Sequence, residues 1–290
     1  MPNKPKIEQT SNSVITVRFD DISSGWEYWV LLRSDAHHDS PYCNRKLEKK
    51  HLEMAKERDA LIMDGGDTFD AMQGKFDPRR TLEDVRPEDK VADYYGAIAR
   101  HAAEDYAPYA DNFVLFGKGN HETAVLDKAN TCLITSLVDK LNAKRNDEWL
   151  ISPGGFGGWV RFAFLANKTK RSSINMKYNH DGGGNAPVTR GAIKTNRQAV
   201  FLPDADIVWN GHNHQGYTIP IAKERLTPRG AVSRSVSWFL RTPGYKDEYG
   251  DGSSGYAVRM NSGPTPLGSI WLHFTFLYDK VSVKPIMEIE

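Results

Sequence analysis

The feature that most constrains this chain is a repeated two-part unit, a short apolar run followed at once by a cluster of Asp, Asn or His. Trp26 to Leu32 leads into Ser34-Asp35-Ala36-His37-His38, and Ala60 to Met63 leads into Asp64-Gly65-Gly66-Asp67. Phe113 to Phe116 leads into Gly117-Lys118-Gly119-Asn120-His121-Glu122, and Ile207 to Trp209 leads into Asn210-Gly211-His212-Asn213-His214. Short apolar runs bounded by Gly and Asp fit buried strands better than helices. Polar groups gathered directly behind each run put the chemistry at the carboxyl ends of strands.

The segments between these runs read as helices. Asn44 to Asp59 is rich in Leu, Glu, Lys and Ala, Pro87 to Tyr106 opens on Pro and acidic residues, and Thr123 to Lys144 follows the third cluster. Strand–loop–helix alternation predicts an α/β sheet. After residue 158 the character changes. Trp159 to Leu165, Ser172 to Tyr178, Val232 to Leu240 and Ser269 to Leu277 read as strands without long helices between them. A second, mixed or antiparallel sheet packed against the first is expected. Residues 1–13 are expected to form a loose arm before a single domain over 14–290. Gly154 to Gly158 and Gly182 to Gly184 read as loops, and residues 223–264 as an elaborated loop and hairpin region.

Composition narrows the partners. The 290 residues carry 38 basic and 37 acidic side chains, so the net charge of +1 supplies no global field for nucleic acid or anionic membranes. Any basic groove must be local. The two cysteines, Cys43 and Cys132, cannot build a disulfide framework, which points to a reducing, cytoplasmic setting. The polar start, Met1 to Thr10, lacks the apolar core of a secretory signal, and no stretch has the length a membrane helix needs.

Five of the nine histidines (His37, His121, His180, His212 and His214) fall in or near the strand-end clusters. Any one alone is more often a hydrogen-bonded structural residue than a ligand. Their joint occurrence with Asp and Asn reverses that reading. Hydrolysis of a phosphate ester at neutral pH needs a strong nucleophile and neutralised phosphoryl oxygens. Two divalent metals roughly 3.5–4 Å apart supply both. Imidazole suits Zn, Fe or Ni, and carboxylate and amide oxygens also admit Mn.

In order, the chain offers Asp-x-His, Gly-Asp, Gly-Asn-His-Glu, a lone His and Gly-His-x-His, from residue 35 to residue 214. These blocks resemble the signature motifs of the calcineurin-like metallophosphoesterases. The resemblance implies a metallophosphatase-type α/β fold, a β-sandwich of two mixed sheets flanked by helices in four layers, α/β/β/α. It also implies two divalent metal ions, Mn foremost, with Zn, Fe or Ni as alternatives. Asp35, His37, Asp67 and His214 would hold the first, with Asp67 bridging, and Asn120, His180 and His212 would complete the second. A bridging hydroxide would be the nucleophile, and His121 the acid that protonates the leaving oxygen. Asp70, three residues after Asp67, matches a family carboxylate that orients this histidine, with a helix or turn cap as the competing reading. His180 comes from the poor motif Lys177-Tyr178-Asn179-His180-Asp181 but has no competitor between His121 and His212. His38 and Asp39 either reach substrate or lie on a solvated loop.

Phosphoprotein phosphatases of this family carry an Arg immediately after the second Asp of their Gly-Asp block, and this chain has Ala71 there. Gly66-Asp67-Thr68-Phe69-Asp70 looks more like the block of SbcCD-type repair nucleases, and the tail resembles phage-type members. Arg225, Arg229, Arg234, Arg241, Lys246 and Arg259 lie among aromatic residues, an arrangement that can grip phosphates and stack bases, or form a strand with a solvated face. The resemblance therefore implies a phosphodiesterase acting on DNA, other nucleic acid or a nucleotide. The alternatives are a phosphomonoesterase on a small metabolite and an idle binding module.

Overall fold

The computed structural model describes residues 4–71, 84–145, 149–180, 189, 191–253 and 255–290. The chain runs through β1 (Lys6–Ser11), β2 (Val14–Ile22), β3 (Trp26–Arg33), α1 (Arg45–Glu57), β4 (Leu61–Asp64), α2 (Tyr94–Tyr106) and β5 (Phe113–Phe116). It continues with α3 (Asn120–Ala129), α4 (Leu133–Asn142), β6 (Ser152–Pro153), β7 (Gly157–Ala166), β8 (Lys170–Asn179), α5 (Ala192–Phe201) and β9 (Ile207–Asn210). The last elements are β10 (Tyr217–Leu226), β11 (Val232–Arg241), α6 (Tyr256–Arg259), β12 (Gly268–Leu277) and β13 (Lys280–Ile289).

Among the described residues the strands form a seven-stranded sheet, in the order β1-β2-β7-β8-β9-β11-β10, and a six-stranded sheet, β13-β12-β3-β4-β5-β6. Both are mixed. β3, β4, β5 and β6 run parallel, as do β8, β9 and β11 and the pair β2 and β7, while the remaining pairs are antiparallel. Period-two alternation decides which side chains face between the sheets. Val30, Leu32, Ile270 and Leu272 of one sheet meet Val160, Phe162, Ile207 and Trp209 of the other in a shared core. The intervening Leu31, Ile62 and Trp271 point the other way, against Leu52 of α1, Ile98 and Ala102 of α2, and Leu137 and Leu141 of α4. On the far side Val208 and Phe239 pack with Ala199 and Leu202 at the end of α5. The result is the four-layer α/β/β/α arrangement that the resemblance implies. Each large aliphatic side chain buried this way contributes about 1.5–3 kcal/mol.

Three expectations need correction. Residues 6–11 are not a loose arm but pair antiparallel with β2, Lys6 opposite Arg18 and Ile7 opposite Val17. Polar residues on both faces of that strand disguise it as coil. The single helix expected over Thr123 to Lys144 is two, because Asn130 takes a left-handed φ of 49° and ends α3. The helix expected from Pro87 starts at Tyr94, where the Asp93 side chain accepts from the Gly96 N–H. The expected loop at Gly182 to Gly184 lies outside the described residues. No helix among those described is long and apolar enough to cross a membrane.

Candidate metal centre

Parallel pairing within each sheet fixes which strand ends lie together. β3 ends at Arg33 and releases Asp35 and His37, β4 ends at Asp64 and releases Asp67, and β5 ends at Phe116 ahead of Asn120 and His121. In the other sheet β8 ends at Asn179 and releases His180, and β9 ends at Asn210 and releases His212 and His214. Residues spread over 180 positions of sequence are thereby brought to one place.

Two groups result. Asp35, His37 and His214 place one ligand atom each within 4.8 Å of one another, and so do Asp67, His180 and His212. In the first group His37 Nε2 lies 3.3 Å from His214 Nε2, and His214 Nε2 lies 3.5 Å from Asp35 Oδ1. In the second His180 Nε2 lies 3.0 Å from Asp67 Oδ2. Asp35 Oδ1 stands 3.8 Å from His180 Nε2 as well, so this one oxygen touches both groups. Asn120 Oδ1 is buried without a hydrogen-bond partner among the described residues.

The backbone beneath these side chains is strained. Asp35, His37, Asp67, His212 and His214 all have left-handed φ, between 46° and 77°. Five of the seven sequence-predicted ligands thus occupy a conformation costing about 1–3 kcal/mol each, which persists only where surroundings over-determine it. Gly119 permits the closest approach, since a Cβ there would lie 2.0 Å from Asp67 Oδ1. Glu122 holds the same loop from below. Its carboxylate accepts from the N–H groups of Asp67 (3.1 Å), Phe69 (2.9 Å) and Gly119 (2.8 Å). A second support is the buried Arg33, whose guanidinium sits 2.9 Å from both Glu48 and Asp64. Asp64 in turn accepts from the Gly66 N–H and the Thr68 hydroxyl, each at 3.0 Å.

Electrostatically the cluster calls for positive charge. Burial acts to lower the His180 pKa, but the Asp67 and Asp35 carboxylates outweigh it and raise the imidazole to about 10. Burial likewise works to raise Asp35, yet His180 and His214 hold it at about 2. The same carboxylates that would keep a proton on a buried imidazole would favour a divalent cation between them. The donor set of buried carboxylate and imidazole, with the buried Asn120 amide oxygen beside it, fits such an ion. His180 is also oriented for it, because Nδ1 contacts the Gly65 carbonyl at 3.0 Å and leaves Nε2 facing Asp67.

His121 sits beside these groups on the first turn of α3. Its main-chain N–H donates to Asp67 Oδ1 at 2.9 Å, and its Nε2 stands 4.0 Å from Asp67 Oδ2. Its Nδ1 lies 2.6 Å from the main-chain carbonyl of Asp70 and 3.6 Å from that residue's carboxylate. The carboxylate instead lies 3.0 Å from His37 Nδ1 and 3.0 Å from Lys246 Nζ. Asp70 therefore meets His121 mainly through its peptide group. The turn-cap reading of its side chain falls on residues outside those described.

Sequence reasoning missed several supporting groups. Asp39 is buried, accepting from the main-chain N–H of Asp70 (2.6 Å) and Ala71 (2.9 Å) and from the Tyr94 hydroxyl (3.0 Å). His38 is buried between Glu48 (2.8 Å) and Asp105 (2.9 Å), away from the solvated loop considered for it. Lys246, read from the sequence as part of a basic and aromatic stretch that could grip phosphates, reaches the centre from the loop after β11 and contacts Asp70. The basic tail does not present one face. Arg241 and Lys246 turn inward, while Arg225 donates to the Pro203 carbonyl at 3.0 Å.

No protein-family model matches the chain, and no curated protein matches it. Among solved structures it is similar to Vacuolar Protein Sorting 29 from Cryptosporidium parvum, at 11% identity and a TM-score of 0.40, over 91% of this chain and 100% of that one. It is also similar to a metallophosphoesterase from Sphaerobacter thermophilus, at 12% identity and a TM-score of 0.35, over 90% of this chain and 89% of that one. A third is a conserved Streptococcus pneumoniae protein described as a predicted phosphoesterase, at 12% identity and a TM-score of 0.34, over 91% and 99%. Likeness of this degree says nothing by itself about activity or residue roles, which rest on the chain's own side chains.

Proposed function

We propose that this chain is a divalent-metal-dependent phosphoesterase of the calcineurin-like type, acting on a phosphodiester of a nucleotide or nucleic acid. The observation that carries the reading is the meeting of two histidine–carboxylate groups, Asp35/His37/His214 and Asp67/His180/His212, at the ends of parallel strands. Asp35, His37 and His214 would hold one ion and His180, His212 and Asn120 the other, with Asp67 shared. When bound, such ions neutralise charge on phosphoryl oxygens and lower the pKa of water. Mn is the first choice for a set of imidazole, carboxylate and amide, with Zn, Fe or Ni as alternatives.

The chain's own residues supply the rest. An Nδ1–H of His121 donating to the Asp70 carbonyl leaves Nε2 free to face substrate. In the imidazolium form Nε2–H can pass its proton to the departing oxygen. The proton is needed most when the leaving group is a poor one, such as a sugar alkoxide. Ala71 is buried under Asp39 and puts no guanidinium beside the centre, which supports a diester over a phosphoprotein. Hydrolysis of bis-p-nitrophenyl phosphate and p-nitrophenyl phosphate with added Mn tests the reading. The diester should be preferred in kcat/KM. A tenfold preference for the monoester, about 1.4 kcal/mol in transition-state binding, would reverse the substrate assignment. No turnover of either with any of the four metals would remove the enzyme assignment.

A further inference from the structure

We propose that Lys246 is a positioning residue of this centre, its ammonium fixing the Asp70 carboxylate against the imidazole of His37; the inference rests on the metal-centre reading above. Lys246 Nζ lies 3.0 Å from Asp70 Oδ1, the oxygen that is also 3.0 Å from His37 Nδ1. Only 13% of the lysine side chain is exposed, and its second contact is another carboxylate, Glu248, at 3.4 Å. A cation so engaged is committed to the protein rather than to substrate.

The chain takes trouble to deliver it. After β11 the backbone turns at Gly244, with φ of +91°, where a Cβ would lie 2.9 Å from the Cβ of Asp35. The Tyr245 N–H donates to the Asp35 carbonyl (3.0 Å), and the Tyr245 carbonyl accepts from Asn44 N–H (2.8 Å). Gly244 accepts from Gly268 N–H at 2.7 Å. Asp70 is fixed separately, its N–H held by Asp39 at 2.6 Å. With both backbones anchored, the 3.0 Å contact of Lys246 Nζ with Asp70 Oδ1 restricts the rotation of the Asp70 side chain. A carboxylate on the far nitrogen of a metal-binding imidazole orients the ring and raises its basicity. Lys246 holds that carboxylate in place.

The test is calorimetric titration of the purified full chain with Mn²⁺ alone, for wild type, Lys246→Met and Lys246→Arg. Loss of an outer partner of a ligating histidine typically weakens metal binding by about 10–100-fold. K246M should fall at the low end, about tenfold weaker, and K246R should recover most of the loss. A lysine that merely aided folding would change the melting temperature and leave the Mn²⁺ affinity of the folded protein alone. K246M binding Mn²⁺ as wild type does overturns the proposal, whereas wild type that binds no Mn²⁺ overturns the metal reading with it. Amine acylation followed by mass spectrometry gives a second measure that does not need K246M to fold. Lys246 should react at least roughly tenfold faster in Asp70→Asn than in wild type, with other lysines unchanged, by the usual strength of a buried charge pair. Equal rates would show that no clamp exists.

Discussion

The imidazole of His121 rests on the peptide carbonyl of Asp70 at 2.6 Å, while the Asp70 carboxylate faces His37 and Lys246. Two substitutions should therefore part company. His121→Ala should keep its metal and lose the proton donor, worth about a hundredfold to ten-thousandfold on an ester with an alkoxide leaving group. On a nitrophenyl ester, whose leaving group needs no proton, the loss should be far smaller. Asp70→Asn keeps the carbonyl that holds His121 but weakens the support of His37. It should bind Mn²⁺ about 10–100-fold more weakly, slow both ester types alike, and recover with excess Mn²⁺. Kinetics of both variants on both ester types, with and without saturating Mn²⁺, separate these roles. A leaving-group-dependent defect in Asp70→Asn at saturating Mn²⁺ would restore the orienting role that the resemblance implies for its carboxylate. The ligand candidates other than His180 were legible in the sequence because they follow short apolar runs, and His180 rested on its order in the chain. The partner of Asp70 was not, because it depends on a side-chain rotation restricted by Lys246, 176 residues further along the chain.

At the scale of elements, β4, β5 and β9 and the second half of β3 announced themselves because both faces are buried and their sequences are largely apolar. β1 did not, since its exposed residues carry no apolar face to read. The segment between β11 and α6 was equally opaque, although it locks onto the centre. Its anchor is Tyr245, whose buried hydroxyl lies 3.0 Å from His51 Nδ1, with Ser269 Oγ also 3.0 Å from that nitrogen. Burial first, then the charges of Lys50 and Arg33, depress the His51 pKa from 6.5 to about 4. Between those values the unfolded chain binds a proton that the folded chain refuses. The stability contributed by neutral His51 is thus complete above pH 6.5 and is lost as pH falls toward 4. Urea unfolding of wild type and His51→Gln across that range checks it. Wild-type stability relative to the variant should shrink on acidification, by at most about 3 kcal/mol at 1.36 kcal/mol for each pH unit of the interval. A difference that stays constant with pH would mean that His51 titrates normally in the folded protein.

For the whole molecule, the joint between the two sheets is where apolar packing and buried charge meet. The shared core ends against Asp35, Asp67, His37, His180 and His214, all buried, and the strained backbone there is held by packing from both sides. A fold organised in this way stores destabilising charge at the strand ends, and a cation bound there should stabilise the entire domain, not one loop. At a free metal concentration of 100 times Kd, linkage gives about 2.7 kcal/mol for one site. In a protein of this size that raises the melting temperature by about 5 °C, at the 2 °C or more per kcal/mol expected of large domains. Treatment with a chelator, then stepwise return of Mn²⁺ or Zn²⁺, should lower and restore the melting temperature by this much. Mg²⁺ and Ca²⁺ should restore much less, because they prefer oxygen donors and this cluster offers four imidazoles (His37, His180, His212 and His214) beside two carboxylates (Asp35 and Asp67). An equal response to all four ions would mean that scattered surface carboxylates bind them, and no response would leave His180 and His214, whose pKa values the neighbouring carboxylates raise, as the cationic partners of Asp67 and Asp35.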